Sequence, residues 1–269
     1  MTTRICVAGI TGWAGSVVAK AIARSEAFTL AAGIARGQAG EDMGLALGLP
    51  AMGTRIVRDL DEALATPFEV LIDYTRPDSV KERVLRATAA GKRVIIGTSG
   101  LSAADFTDIE LAAKVHGTGV IAAGNFSLTA ALASHCAQLA AGLLPWCEII
   151  DYAHEDKVDA PSGTARELAE KLGAVRPSAM GVALDRIHGQ PEARGADVAG
   201  TRVHAVRLPG FVIAFEAIFG LPNERLSIRH DAGAGAEPYV AGTLLAVQKV
   251  LELQGLVRGL DTLLFGPVG

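Results

Sequence analysis

The chain has 269 residues, half of them hydrophobic and 20% charged, with a formal net charge of −4. This much apolar material excludes a disordered chain, and the acidic balance excludes a broad nucleic-acid-binding surface. At roughly 150 residues per domain, either one large domain or two modest ones is expected. No apolar run reaches the ~18–20 residues of a membrane span, so no membrane partner is expected. Met1-Thr2-Thr3-Arg4 leads straight into a strand-like run with no signal-peptide pattern, and a cytoplasmic protein is expected. Cys6, Cys136 and Cys147 form no paired framework and no metal-ligand spacing, which suits a reducing compartment and predicts no metal site.

In chain order, short β-branched runs at residues 5–8, 28–33, 70–73, 93–96 and 120–123 alternate with helical patterns at 13–25, 78–90, 102–115 and 127–143. Near-continuous apolar strands are buried on both faces, so the pattern predicts an α/β fold, a Rossmann-type doubly wound parallel sheet. The second half changes character. Residues 147–153 read as a strand and 164–172 as a helix. Runs at 204–208 and 211–219 flank Pro209-Gly210 as a hairpin, and 226–230 adds a strand. Strands without intervening helices predict an α+β domain with a mixed or antiparallel sheet. Residues 173–200, with Pro177 and Pro191, read as a long irregular excursion, and 239–253 as a final helix.

The segment Gly9-Ile10-Thr11-Gly12-Trp13-Ala14-Gly15 lies between the first strand and the first helix. Glycines spaced three apart permit a tight turn and let a pyrophosphate approach the helix N-terminus, where free N–H groups favour an anion. The spacing differs from the commoner G-x-G-x-x-G, and a ligand-free strand–helix turn is the alternative. At the end of the second strand, Gly33-Ile34-Ala35-Arg36-Gly37 offers no carboxylate for a ribose hydroxyl. Arg36 offers a cation for a 2′-phosphate, so NADPH is the expected cofactor, with NADH possible. A solvated loop arginine is the other reading.

Lys157-Val158-Asp159-Ala160-Pro161-Ser162-Gly163-Thr164-Ala165 resembles the signature of the dihydrodipicolinate reductase family, K-x-D-A-P-S-G-T-A. Asp73-Tyr74-Thr75-Arg76-Pro77 resembles the family's D-F-T-x-P loop, Gly97-Thr98-Ser99-Gly100 its G-T-T-G loop, and Gly124-Asn125-Phe126-Ser127 its A-N-F-S segment. The resemblance covers nearly the whole chain and weakens at 173–200 and after His230. It implies a reductase that converts 4-hydroxy-tetrahydrodipicolinate to tetrahydrodipicolinate in lysine biosynthesis with a reduced nicotinamide dinucleotide, generally as a homotetramer. It also implies a dinucleotide-binding domain at 1–126 and 231–269, and a substrate-binding and oligomerisation domain at 127–230. By position, Thr75, Gly97, Thr98, Ser99, Ala123, Gly124, Asn125 and Phe126 would join the glycine turn in binding the cofactor. His154, Lys157, Ser162, Gly163 and Thr164 would bind substrate, with Lys157 and His154 as catalytic candidates. The start of a helix at Ser162-Gly163-Thr164 suits a carboxylate cradle of N–H and hydroxyl groups. Without the resemblance, an ordinary N-cap and a surface lysine are the readings.

The sequence departs from the family pattern in three places. The first histidine of the motif falls on Ala153, leaving His154 at the second position. Phe215 stands where a hairpin histidine is expected, and the late arginine has no counterpart between His230 and Tyr239. These changes are read as favouring a paralogue that reduces a simple cyclic imine carboxylate, with Phe215 as a less polar pocket wall. Protonation of a carbon after hydride addition to a conjugated C=C–C=N system wants a placed acid, whereas a simple imine needs only its nitrogen protonated. The alternatives are a lysine-pathway enzyme using His154 or Lys157 as acid, and a non-catalytic NADPH-binding sensor.

Overall fold

A computed structural model describes residues 2–268. In chain order it runs β1 (Thr3–Ala8), α1 (Trp13–Ala23), β2 (Phe28–Ile34), α2 (Met43–Ala46), α3 (Leu60–Leu64), β3 (Val70–Asp73), α4 (Pro77–Ala89), β4 (Arg93–Ile96), α5 (Ala103–Val115), β5 (Gly119–Ala122) and α6 (Leu128–Leu143). There follow β6 (Trp146–Ala153), α7 (Gly163–Val175), β7 (Ala196–Val198), β8 (Thr201–Arg207), β9 (Ile213–Leu221) and β10 (Glu224–Ala232). The chain closes with α8 (Pro238–Val250), β11 (Gly255–Arg258) and α9 (Leu260–Phe265). It divides into two units, one up to Leu128 together with Ala236–Leu263, the other Thr129–Gly235 with the chain from Leu264 on.

The sheet of the first unit is parallel throughout, in the order β11-β5-β4-β3-β1-β2. Every residue of β3 and β5 is buried, as expected of strands covered on both faces. The chain leaves β1 toward β2 on one side and returns to β3 on the other, so the strand order reverses at β1. Ligands of doubly wound sheets bind at the carboxyl ends of strands at such a reversal. Local signals place the helices: Pro77 opens α4, and Ser102 with Asp105 forms a reciprocal capping box on α5.

The second unit holds a mixed sheet in the order β10-β9-β6-β8-β7, in which only β6 and β8 pair in parallel. Cys147, Ile149, Phe215, Ala217, Phe219 and Val203 pack with α6 and α7 residues such as Ala137, Leu168 and Leu172 into one core. The hairpin expected around Pro209-Gly210 does not form. β6 lies between β8 and β9 and pairs with both, so Gly210, at φ +89°, turns a connection between non-adjacent strands. The hairpin is instead β9–β10, where Leu221 pairs with Glu224 and Asn223 adopts φ +65°. The segment expected to be irregular from residue 173 contains the end of α7 and the short strand β7.

Candidate active site

The glycine turn after β1 is built from backbone alone. A Cβ on Gly9 would lie 2.1 Å from the Tyr74 carbonyl oxygen after β3, and one on Gly15 would lie 2.1 Å from the Gly9 oxygen. At Gly12 it would stand 3.1 Å from that same oxygen, and Gly9 itself sits at φ +78°. The Gly9 N–H donates to the Ile34 carbonyl at 2.9 Å, and the Gly12 N–H to Gly9 O at 2.9 Å. These two amides are spent inside the turn, so the N–H groups left for an anion are those of the first turn of α1, where Gly12 as N-cap brings no side chain of its own. Those features fit a dinucleotide pyrophosphate. Ile10 and Ala14 turn their side chains into the core, while Trp13 is exposed and meets Tyr239 edge-on at 5.7 Å. The Thr11 hydroxyl donates to Gln38 Oε1 at 2.9 Å, tying this turn to the loop after β2. Arg36 lies exposed on that same loop, just beyond Ile34 and Ala35.

At the ends of β3 and β4, the buried carboxylate of Asp73 gathers the hydroxyls expected at the cofactor. Thr75 Oγ1 donates to Asp73 Oδ1 at 2.6 Å and Thr98 Oγ1 donates to it at 2.8 Å. Arg83 Nη1 donates to Asp73 Oδ2 at 2.6 Å and to Thr75 Oγ1 at 2.9 Å. The Thr75 and Thr98 hydroxyls thus fix the loops, on which Arg76 and Ser99 are exposed. Gly97 packs against Tyr74, whose ring would lie 2.0 Å from a Cβ there; Ser99 follows in the loop. Burial pushes the Tyr74 phenol up, and its oxygen lies 2.7 Å from Thr243 Oγ1. After β5, Ala123 and Phe126 are buried, the Phe126 ring meeting Tyr74 edge-on at 6.2 Å. Asn125 Oδ1 accepts from the Ser127 N–H at 2.8 Å, which sets the turn that Gly124 enters.

In the second unit, β6 delivers the signature turn. His154 is exposed, with Nδ1 2.7 Å from Asp156 Oδ1 and 3.1 Å from Glu155 Oε2. The hydrogen bond to Asp156, with the Glu155 charge, raises its pKa above the ordinary histidine value. Lys157, half-buried, places Nζ 2.6 Å from Asp159 Oδ1. Ser162 caps α7, its hydroxyl accepting from the Ala165 N–H at 3.2 Å. Its N–H and hydroxyl both donate to the buried Asp151 carboxylate at 2.7 Å. Gly163 and Thr164 form the first turn of the helix beyond it.

Two expectations change at this point. Ser162 was expected to offer its N–H and hydroxyl to a substrate carboxylate, but the protein's own Asp151 occupies both. Phe215 was expected to wall the pocket, but it is 1% exposed within the core of its unit, stacked on His230 at 5.6 Å.

Comparison with known proteins decides the family. The profile described as "Dihydrodipicolinate reductase, N-terminus" matches residues 3–126, and "Dihydrodipicolinate reductase, C-terminus" matches 125–264. The chain belongs to the dihydrodipicolinate reductase family. It is 37% identical over 266 residues to a 4-hydroxy-tetrahydrodipicolinate reductase of Moorella thermoacetica, covering 98% of each chain. It is 38% identical over 266 residues to a reductase of the same name from Desulfitobacterium hafniense, covering 97% of this chain and 98% of that one. Among solved structures it resembles a dipicolinate-bound dihydrodipicolinate reductase from Paenisporosarcina sp. TG-14, with TM-score 0.79 and 29% identity over 98% of this chain and 100% of that one. An amine dehydrogenase from Mycobacterium smegmatis shares the fold, with TM-score 0.69 at 16% identity over 97% and 96% of the two chains.

As a member of this reductase family, the chain is an NAD(P)H-dependent oxidoreductase. Among the described residues, no helix is long and apolar enough to cross a membrane, and no group of three or more His, Cys, Asp or Glu could hold a metal ion. The structure adds roles that the sequence did not show: Asp73 with Arg83 behind the loops after β3 and β4, and Asp151 with Arg207 behind the signature turn. Asp151 carried a faint signal, a carboxylate in the buried alternation of Cys147, Ile149 and Ala153.

Proposed function

We propose that the chain reduces 4-hydroxy-tetrahydrodipicolinate with NADPH as hydride source, the first unit holding the cofactor and the second the substrate. Similarity along the whole length to reductases of that name supports this reading. The observation that carries it is the single turn from His154 to Thr164, which combines an exposed histidine, a lysine and the start of a helix. When bound, the nicotinamide supplies hydride. Lys157 offers the cation, and the first turn of α7 at Gly163 and Thr164 offers helix N–H groups, for a substrate carboxylate. The proton comes from His154, whose carboxylate neighbours keep it charged further into neutral pH than an isolated histidine. The glycine turn from Gly9 to Gly15 takes the pyrophosphate, and Arg36 takes the 2′-phosphate that distinguishes NADPH. Assembly as a homotetramer belongs to the same reading and is checked by the mass in solution.

A second reading, reduction of a simple cyclic imine carboxylate, has one specific observation in its favour. Ala153 fills the position of the family's first histidine with a methyl group sealed from solvent. The absence of a late arginine agrees with it, whereas Phe215, buried in the core, does not bear on it. Complementation separates the two. Growth of a lysine auxotroph lacking this reductase supports the first. No growth, with NADPH oxidation on a pyrroline or piperideine carboxylate, supports the second.

A further inference from the structure

The turn between β6 and α7 is open to solvent for most of its length; Val158 at its crest is 98% exposed. Its anchoring therefore falls to few contacts. Within it, the Lys157 N–H donates to the His154 carbonyl at 3.1 Å and Lys157 Nζ pairs with Asp159. At its far end, Ser162 is bound to Asp151. The remaining anchor comes from another strand. Arg207, at the end of β8, directs Nη2 both to Asp151 Oδ2 at 2.8 Å and to the Asp159 carbonyl at 2.6 Å. Nη1 is spent on the Val206 carbonyl at 3.0 Å and the Asp151 carbonyl at 3.3 Å.

We propose that Arg207 is a positioning residue for the reaction: it holds Asp159, and through it Lys157, in register with the capped start of α7. The proposal rests on the reading of this turn as the substrate site. Asp159 is the common element, its carbonyl taken by Arg207 and its carboxylate by Lys157. Nη2 spans a strand carboxylate and a turn carbonyl, while Nη1 fixes the guanidinium's orientation on two further carbonyls. A lysine ammonium, a point charge on a flexible stem, cannot reproduce that fixed fork. Stability alone is a weak reason for such a device, because a buried ion pair gains little over well-packed apolar groups. Arg207 touches no reacting atom in this scheme; it acts through Asp159 and Lys157.

Arg207→Ala and Arg207→Lys test this in the full-length protein, by kinetics and by hydrogen exchange of the backbone amides at residues 155–160. Arg207→Ala is expected to raise the KM for the imine substrate at least tenfold, to leave NADPH affinity within twofold of wild type, and to speed exchange across 155–160. Arg207→Lys should show the same changes, smaller. Guanidinium ion at millimolar concentration should restore part of the Arg207→Ala loss and none of the loss in Lys157→Ala. Unchanged exchange and unchanged KM overturn the proposal, as does a fall confined to kcat or an equal loss of NADPH binding. If neither Arg207 variant folds, Arg207 is a structural residue and the proposal fails. If the wild type turns over no cyclic imine, the proposed function fails, while the exchange at 155–160 still shows whether Arg207 holds the turn.

Discussion

Ala153 on β6 is paired in parallel register with Arg207 on β8, and 1% of its surface is exposed. The position where the family motif places its first histidine is thus a methyl group beside a guanidinium committed to Asp151 and Asp159. A histidine cannot simply be put back. Ala153→His should overpack the site, costing about 1–3 kcal/mol, and the neighbouring cation should disfavour the charged imidazole. The expected outcome is a Tm lower by several degrees and no gain in turnover of 4-hydroxy-tetrahydrodipicolinate. A gain of about a hundredfold, the lower end of what placed acids contribute, would show that the site accepts the acid after all.

Arg36 lies exposed on the loop after β2, joined to the glycine turn through Gln38 and Thr11. Loss of a charge-assisted phosphate contact costs about 1.5–3 kcal/mol, so Arg36→Ala should raise the KM for NADPH roughly tenfold or more and leave NADH nearly unchanged. Equal effects on both cofactors would remove Arg36 from the phosphate site.

His154 carries a pH signature. Its hydrogen bond to Asp156 favours the charged imidazole, so its pKa lies above the ordinary value of about 6.5. The proton-donating form is complete at low pH and is lost as pH rises through that elevated value. The kcat/KM should fall over that interval, and Asp156→Asn should move the fall to lower pH. A profile that ignores Asp156→Asn would assign the proton to another group.

Asp73 is fully buried and holds Arg83, Thr75 and Thr98 together. Asp73→Ala should strand the mostly buried guanidinium of Arg83 and destabilise the fold by about 3–5 kcal/mol, read as a large drop in Tm. Thr98→Val, which removes one donor to a carboxylate that keeps the Thr75 N–H, the Thr75 hydroxyl and Arg83, should cost about 1.5–3 kcal/mol. Equal, small shifts for both would show that Asp73 is not the centre of the network.

Much of the first unit is legible in the sequence because its signals are local. Val70-Leu71-Ile72-Asp73 and Gly119-Val120-Ile121-Ala122 are short apolar runs bounded by helical patterns, and the glycines at 9, 12 and 15 announce the turn. The second unit hides its logic in long-range pairing. Pro209-Gly210 looks like a hairpin turn, but whether β8 meets β9 or β6 depends on a parallel pairing with a strand some fifty residues earlier. β11 passes unnoticed because Leu256 and Val257 between two glycines make no periodic signal. At the site, residue type was readable and employment was not. The hydroxyls of Ser162, Thr75 and Thr98 suit a ligand, yet each is taken by a carboxylate of the protein. Phe215 could have lined a pocket, but the alternation of β9 turns it with Ala217 and Phe219 into the core.

The most direct measurement is steady-state NADPH oxidation by the wild-type protein, with 4-hydroxy-tetrahydrodipicolinate and a piperideine carboxylate compared side by side. The expected result is a kcat/KM of at least about 10⁴ M⁻¹ s⁻¹ for the former, within the range of evolved enzymes, and roughly tenfold or more above that for the simple imine. The reverse order, with little or no turnover of 4-hydroxy-tetrahydrodipicolinate, would contradict the proposed function and leave the chain a reductase of simple cyclic imines.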